Sequence, residues 1–148
     1  MEKALASHGD AELILKLYEL RTEALMRQAR AWMLAEFWPE TAEEFFVVLN
    51  EFGSQRNAYL RQVVSYWEMA AAFVLHGAVS ADLFLDTNGE PFFYAAKLAH
   101  ILPEIHAQRP GYMGKVLKLI EMYPVAATMH EGMKKNIARM REMRKSAS

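Results

Sequence analysis

The chain has 148 residues, of which 53% are hydrophobic and 24% charged, with ten Met, no Cys and a formal net charge of -1. That apolar content belongs to a folded chain, and a chain of this mass buries about two-thirds of its extended surface, enough for one self-supporting core. Without Cys there is no disulfide framework, no thiolate metal site and no cysteine nucleophile.

Charged residues near the N-terminus stand where a leader peptide carries its apolar core. The longest wholly apolar run, Met69 to Leu75, falls far short of the roughly 20 residues of a membrane-spanning helix. A cytoplasmic protein is the expectation. The first predicted helix runs from Asp10, read as its cap, to Phe37. Leu13, Leu17, Leu20, Ala24, Ala31 and Leu34 recur there at three- and four-residue steps, and Trp38-Pro39 ends the run. In the next segment Phe45-Phe46-Val47-Val48 alone would pass as a strand. The stripe Phe45, Val48, Leu49, Phe52 decides for helix, with Thr41 and Glu44 spaced as a capping box and Gly53 as the stop. A longer helix is predicted from Ser54 to His76, closed by Gly77, and apolar on nearly all sides in its second half.

Ser80 is placed to cap a short turn through Leu85. Thr87 and Glu90 are spaced as a second capping box, opening a helix that is kinked or ended at Pro103. After the break at Arg109-Pro110-Gly111, a short helix is predicted from Met113 to Met122, and Pro124 opens the last one, which runs into Arg144. The expected architecture is all-α: a single helical domain, 1–148, of about five to seven helices, with loose tails at 1–9 and 145–148.

Several chemistries are missing. Gly111-Tyr112-Met113-Gly114-Lys115 is not a phosphate loop, because two residues separate its glycines and Val116 follows the Lys. His130-Glu131-Gly132-Met133-Lys134 has Lys where a zinc helix places its second imidazole, no Glu is followed three residues later by His, and Asp86-Thr87-Asn88-Gly89-Glu90 lacks the leading Asp of a calcium loop. No metal, cofactor or catalytic set is assigned.

Two features remain. On the long central helix Asn57, Arg61, Ser65, Glu68 and His76 fall close to one line. Arg61, Ser65, Glu68 and His76 either line a small-molecule cavity between helices or form the solvated face of that helix. The C-terminal helix carries an apolar stripe of Met129, Met133, Ile137, Met140 and Met143, with Lys134, Lys135, Arg139, Arg141, Arg144 and Lys145 around it. Three readings stand for Met133, Lys134, Lys135, Ile137, Arg139, Met140, Arg141 and Arg144. They form a docking face for a protein partner or a second copy, a basic face for nucleic acid or an anionic membrane, or a packed terminal helix whose cations favour its own dipole. His100 and Glu104 share a helix face, whereas His8, His106 and His130 are isolated and read as surface residues.

At Tyr66-Trp67-Glu68-Met69, with Gly77 closing that helix and Leu83-Phe84 following, the chain resembles uncharacterised bacterial helical proteins that carry only a domain-of-unknown-function label. The resemblance covers the central half. It implies a helical fold and a bacterial origin, and transfers no activity or site.

The expectation is therefore an interaction or structural module that forms homo-oligomers. A small-molecule-binding bundle or enzyme, and a nucleic-acid or membrane binder, are the alternatives. Charge sharpens the first reading: residues 1–53 carry five basic against ten acidic residues, and residues 133–148 six basic against one acidic. The near-neutral total hides an acidic start and a basic end, which can pair within one bundle or between two copies.

Overall fold

A computed structural model describes residues 5–147, and these form nine helices. The expected number was exceeded because two of the predicted helices are each divided. The first gives α1 (His8–Arg21) and α2 (Ala24–Ala35). Neither Gly nor Pro marks the break. The same apolar period continues on both sides of it, so the stripe reads as one helix. At the break the Thr22 hydroxyl donates to the Glu19 carbonyl at 2.9 Å, and Glu23 has an extended ψ of 145°. Tertiary donors take up α1 carbonyls: the Tyr66 hydroxyl bonds Leu17 O, and Arg30 reaches Arg21 O at 3.4 Å.

The cap of α1 is Ser7, whose Oγ accepts the Asp10 amide at 3.1 Å while the Asp10 carboxylate accepts the Ser7 amide at 2.6 Å. Asp10 is thus the third helical residue of a capping box, not the cap. Its second oxygen accepts the Ser80 amide at 2.9 Å and holds α1 to the start of α5. The α1 helix begins at His8, within the expected tail of residues 1–9; residues 1–4 lie outside the described residues.

The α3 helix (Ala42–Asn50) starts at Thr41, whose hydroxyl accepts the Glu44 amide at 3.2 Å. Glu44 accepts the Glu40 amide instead of completing the box. The α4 helix (Gln55–Leu75) is bounded as its sequence predicts, by the Ser54 cap and by Gly77 at φ 75°. With Gly53 at φ 92° before it, both turns use backbone that a Cβ would strain. The α5 helix (Ala81–Thr87) is capped by Ser80.

The second expected capping box does not form, because the Thr87 hydroxyl turns back to the Leu83 carbonyl at 2.8 Å and Gly89 precedes α6 (Glu90–Leu98). Here lies the second division. Pro103, lacking an amide hydrogen, sits in the first turn of a separate α7 (Leu102–Gln108). The α8 helix (Gly114–Met122) follows Met113 at φ 55°, and α9 (Pro124–Ala147) runs to the end of the described chain. Residues 145–147 continue α9, where the Ser146 hydroxyl bonds Glu142 O at 3.1 Å.

α4 is the central element. It packs against α2, α3 and α8, while α9 lies across α6 and α8, α1 rests on α2 and α5, and α7 on α3. Trp67, Phe45, Phe84, Phe92 and Leu60 are buried in the core between them. No helix among the described residues is long and apolar enough to cross a membrane.

Candidate functional site

The polar line of α4 does not behave as a unit. Asn57 is fully buried and donates to the carbonyls of Val48 and Leu49 at 3.0 and 2.8 Å, so it closes the end of α3. Arg61, Ser65 and Glu68 line one open cleft of about 370 Å³ between α4 and the segment joining α7 to α8. His76 is exposed at the C-terminal end of α4 and does not share that cleft.

Within the cleft Glu68 is half-buried, and its two oxygens accept the Lys115 and Val116 amides at 3.2 and 2.8 Å. These amides belong to the first turn of α8, which has no side-chain cap of its own. Glu68 therefore places a negative charge at a helix N-terminus, where the unpaired amides and the macrodipole favour it. Arg109, which the sequence reading did not single out, lines the same cleft. So does Tyr112, whose hydroxyl is buried with no hydrogen-bond partner; burial raises its pKa well above that of a free phenol.

The basic C-terminal helix is divided among different tasks. Ile137 is buried, Met133 and Lys134 are half-buried, and Lys135, Arg139, Met140 and Arg144 are exposed. Arg141 donates to Lys97 O at 3.0 Å, at the last turn of α6, and lies 3.4 Å from the Glu40 carboxylate. Lys134 pairs with Glu131 at 2.7 Å. Near the end of α9, Met140, Met143 and Arg144 face Leu34, Ala35 and Trp38 across a groove of about 440 Å³, with Met143 71% exposed.

Beneath that groove is a group that the sequence reading passed over. Lys97 is 0% exposed, with Nζ donating to the carbonyls of Met33 and Leu34 in the last turn of α2. The ammonium lies 4.1 Å from the centroid of the Trp38 ring, and the Arg141 and Arg144 guanidinium carbons approach the same ring at 5.5 and 4.9 Å. Burial, reinforced by those two cations, pushes the Lys97 pKa down to about 7. A Lys in the last turn of a helix gives no sign in sequence that a neighbouring helix will bury it.

A second omission is the polar group in the core. Arg30 of α2 forms a two-pronged pair with Glu90 of α6 at 2.8 and 2.7 Å, and the Trp67 indole N–H donates to the same carboxylate at 3.2 Å. The bond to Glu90 raises the Arg30 pKa. The other expectations are resolved more simply. His100 bonds the Pro39 carbonyl at 3.0 Å, with Glu104 left exposed. His130, read as a surface residue, is buried with its Nε2 unpartnered, because its face of α9 turns inward; burial lowers its pKa. Among the described residues no cluster of His, Asp and Glu is arranged to hold a metal ion.

Compared with known proteins, residues 6–123 match a family model described as a domain of unknown function, DUF4760. No curated protein and no solved structure matches. The matched stretch contains the whole cleft beside α4 and stops one residue short of α9.

Proposed function

We propose, on the premise that the chain belongs to the DUF4760 family, that it is a helical interaction module whose partner is a second copy of itself. The bacterial cytoplasm is the setting this reading takes. The observation that carries it is the apolar groove at the junction of α2 and α9. Met143 is 71% exposed and Met140 36% exposed there, against Leu34, Ala35 and Trp38, with the Arg144 guanidinium at the rim. Exposed Met side chains gathered beside the half-buried Trp38 ring suit a protein contact, since Met adapts to the surface it meets.

The same molecule offers a complement. On α1 and the start of α2, Leu15, Tyr18 and Leu25 are 66%, 56% and 52% exposed; around them Glu12, Glu19 and Glu23 alternate with exposed Lys16 and Arg27, and Lys16 pairs with Glu19 at 3.8 Å. The two apolar surfaces suit each other between copies, and the exposed Glu12 and Glu23 carboxylates give the cationic rim of the groove acceptors that set the register of docking. The two surfaces differ, so the contact is heterologous.

Mass in solution tests this directly. Sedimentation velocity at tens of micromolar protein and low salt should give a particle larger than one chain. It should shift toward the monomer at about 1 M salt, where the screening length falls to about 3 Å. Met143→Asp, at an exposed position, should dissociate it, with a thermal midpoint equal to the wild type's at dilutions where both are monomeric. A strictly monomeric wild-type protein at low salt overturns the reading.

A further inference from the structure

The cleft beside α4 holds an arrangement that the self-association reading does not use. Arg61 and Arg109 both line it, and neither guanidinium has a hydrogen bond or ion pair among the described residues. Three other arginines have acceptors, Arg30 with Glu90, Arg56 with Glu51 at 2.7 Å, and Arg141 with Glu40 and a carbonyl, so what sets Arg61 and Arg109 apart is that two unpaired guanidiniums line the same cleft. The carboxylate in the cleft lining is Glu68, and its oxygens accept the α8 amides. Two free forks of donors thus share one concavity with the Ser65 hydroxyl.

Its remaining wall is apolar. Val64 and Leu49 supply aliphatic surface, and Phe52 is 73% exposed, with the Arg61 guanidinium carbon 5.9 Å from the centre of its ring. An exposed aromatic ring under a guanidinium offers a flat apolar surface beside a planar donor. The volume of about 370 Å³ lies at the small end of the range for ligand sites and suits one or two fused rings.

The geometry points to a binding site for a small organic anion with an apolar ring, its carboxylate or phosphate held by Arg61 and Arg109 and its body laid on Phe52 and Val64. Guanidinium binds such oxyanions two-pronged, through charge-assisted hydrogen bonds. Two arginines against the single Glu68 carboxylate leave the cleft lining with an excess of positive charge. The site stands whether or not the chain self-associates, because none of its residues lies in the α2–α9 groove.

The test is titration of the full chain with 2-naphthoate, followed by amide chemical shifts in NMR. Saturable shifts are expected in residues 61–68 and 109–116. Binding should weaken by about tenfold or more with the neutral 2-naphthalenemethanol and in the Arg61→Gln/Arg109→Gln variant, the loss of charge-assisted hydrogen bonds. Inorganic phosphate should bind more weakly than 2-naphthoate, since it leaves Phe52 uncovered. Arg27→Gln/Arg139→Gln, which removes two exposed arginines elsewhere, should bind as the wild type does. If the cleft double variant fails to fold, Phe52→Ala gives the second reading, with weakened binding at an unchanged thermal midpoint. The proposal is overturned by no saturable shift up to about 10 mM, a value corresponding to no useful affinity. Equal binding by the cleft double variant overturns it too, as does a response to a short acidic peptide in the absence of one to 2-naphthoate.

Discussion

Lys97 shows how a residue changes meaning between sequence and structure. In the sequence it is the last-turn cation of α6, a place where Lys favours the helix dipole of its own helix. In the structure its ammonium satisfies the carbonyls of Met33 and Leu34 at the end of α2, under the Trp38 ring. Burial and the two nearby guanidiniums lower its pKa from 10.5 to about 7. The unfolded chain then binds more protons than the folded one between these two values, so this group makes the protein more stable as pH rises through that window. The cost of the buried charge is fully present below pH 7 and relieved above it. We predict that the unfolding free energy of the wild type, measured in urea, climbs by up to a few kcal/mol between pH 7 and 10 relative to Lys97→Met. The variant loses a donor to two carbonyls at every pH, which lowers its stability without giving it this slope. Parallel pH profiles would refute the assignment. Tyr66 titrates outside the window, since burial raises its pKa to about 12.

At the scale of the helix, starts were readable and several ends were not. Ser54, Ser80 and Thr41 announce their helices because a cap acts on amides two or three residues away, within the reach of a sequence pattern. Gly53 and Gly77 announce stops by the positive φ they adopt. Other ends depend on side chains distant along the chain. Asn57 closes α3, Arg141 closes α6, Lys97 closes α2, and Glu68 opens α8. For α8, Glu68→Ala should speed amide hydrogen exchange through its first turn and cost about 1–2 kcal/mol, the usual effect of removing an N-terminal cap. Glu68→Gln should recover part of the protection, since its amide oxygen still accepts. Unchanged exchange at residues 115 and 116 in the Ala variant would show that α4 does not cap α8.

Across the whole molecule, Arg30 and Glu90 join α2 to α6 over the Trp67 indole of α4, with side chains only 20% and 12% exposed. Removing one partner leaves a charge with little water to solvate it. Arg30→Met alone should therefore destabilise the fold by about 3 kcal/mol, whereas Arg30→Met with Glu90→Leu should cost clearly less than the two single changes added together. Additive losses in chemical denaturation would show that the two charges do not depend on each other. The pair is hidden from sequence because its members are 60 residues apart, and because Glu90 also fits a capping-box spacing with Thr87. The sequence by itself determined the helical class, most helix boundaries and the opposition of an acidic start to a basic end. Those follow from periodicity, caps and composition, which act over a few residues or need no geometry at all. Tertiary structure alone decided which polar residues are enclosed. It put Arg61 in a cleft with Arg109 while leaving His76 outside, and it turned Glu68 toward α8. Burial and charge pairing are set by which helices meet, and that depends on contacts between residues far apart in the chain.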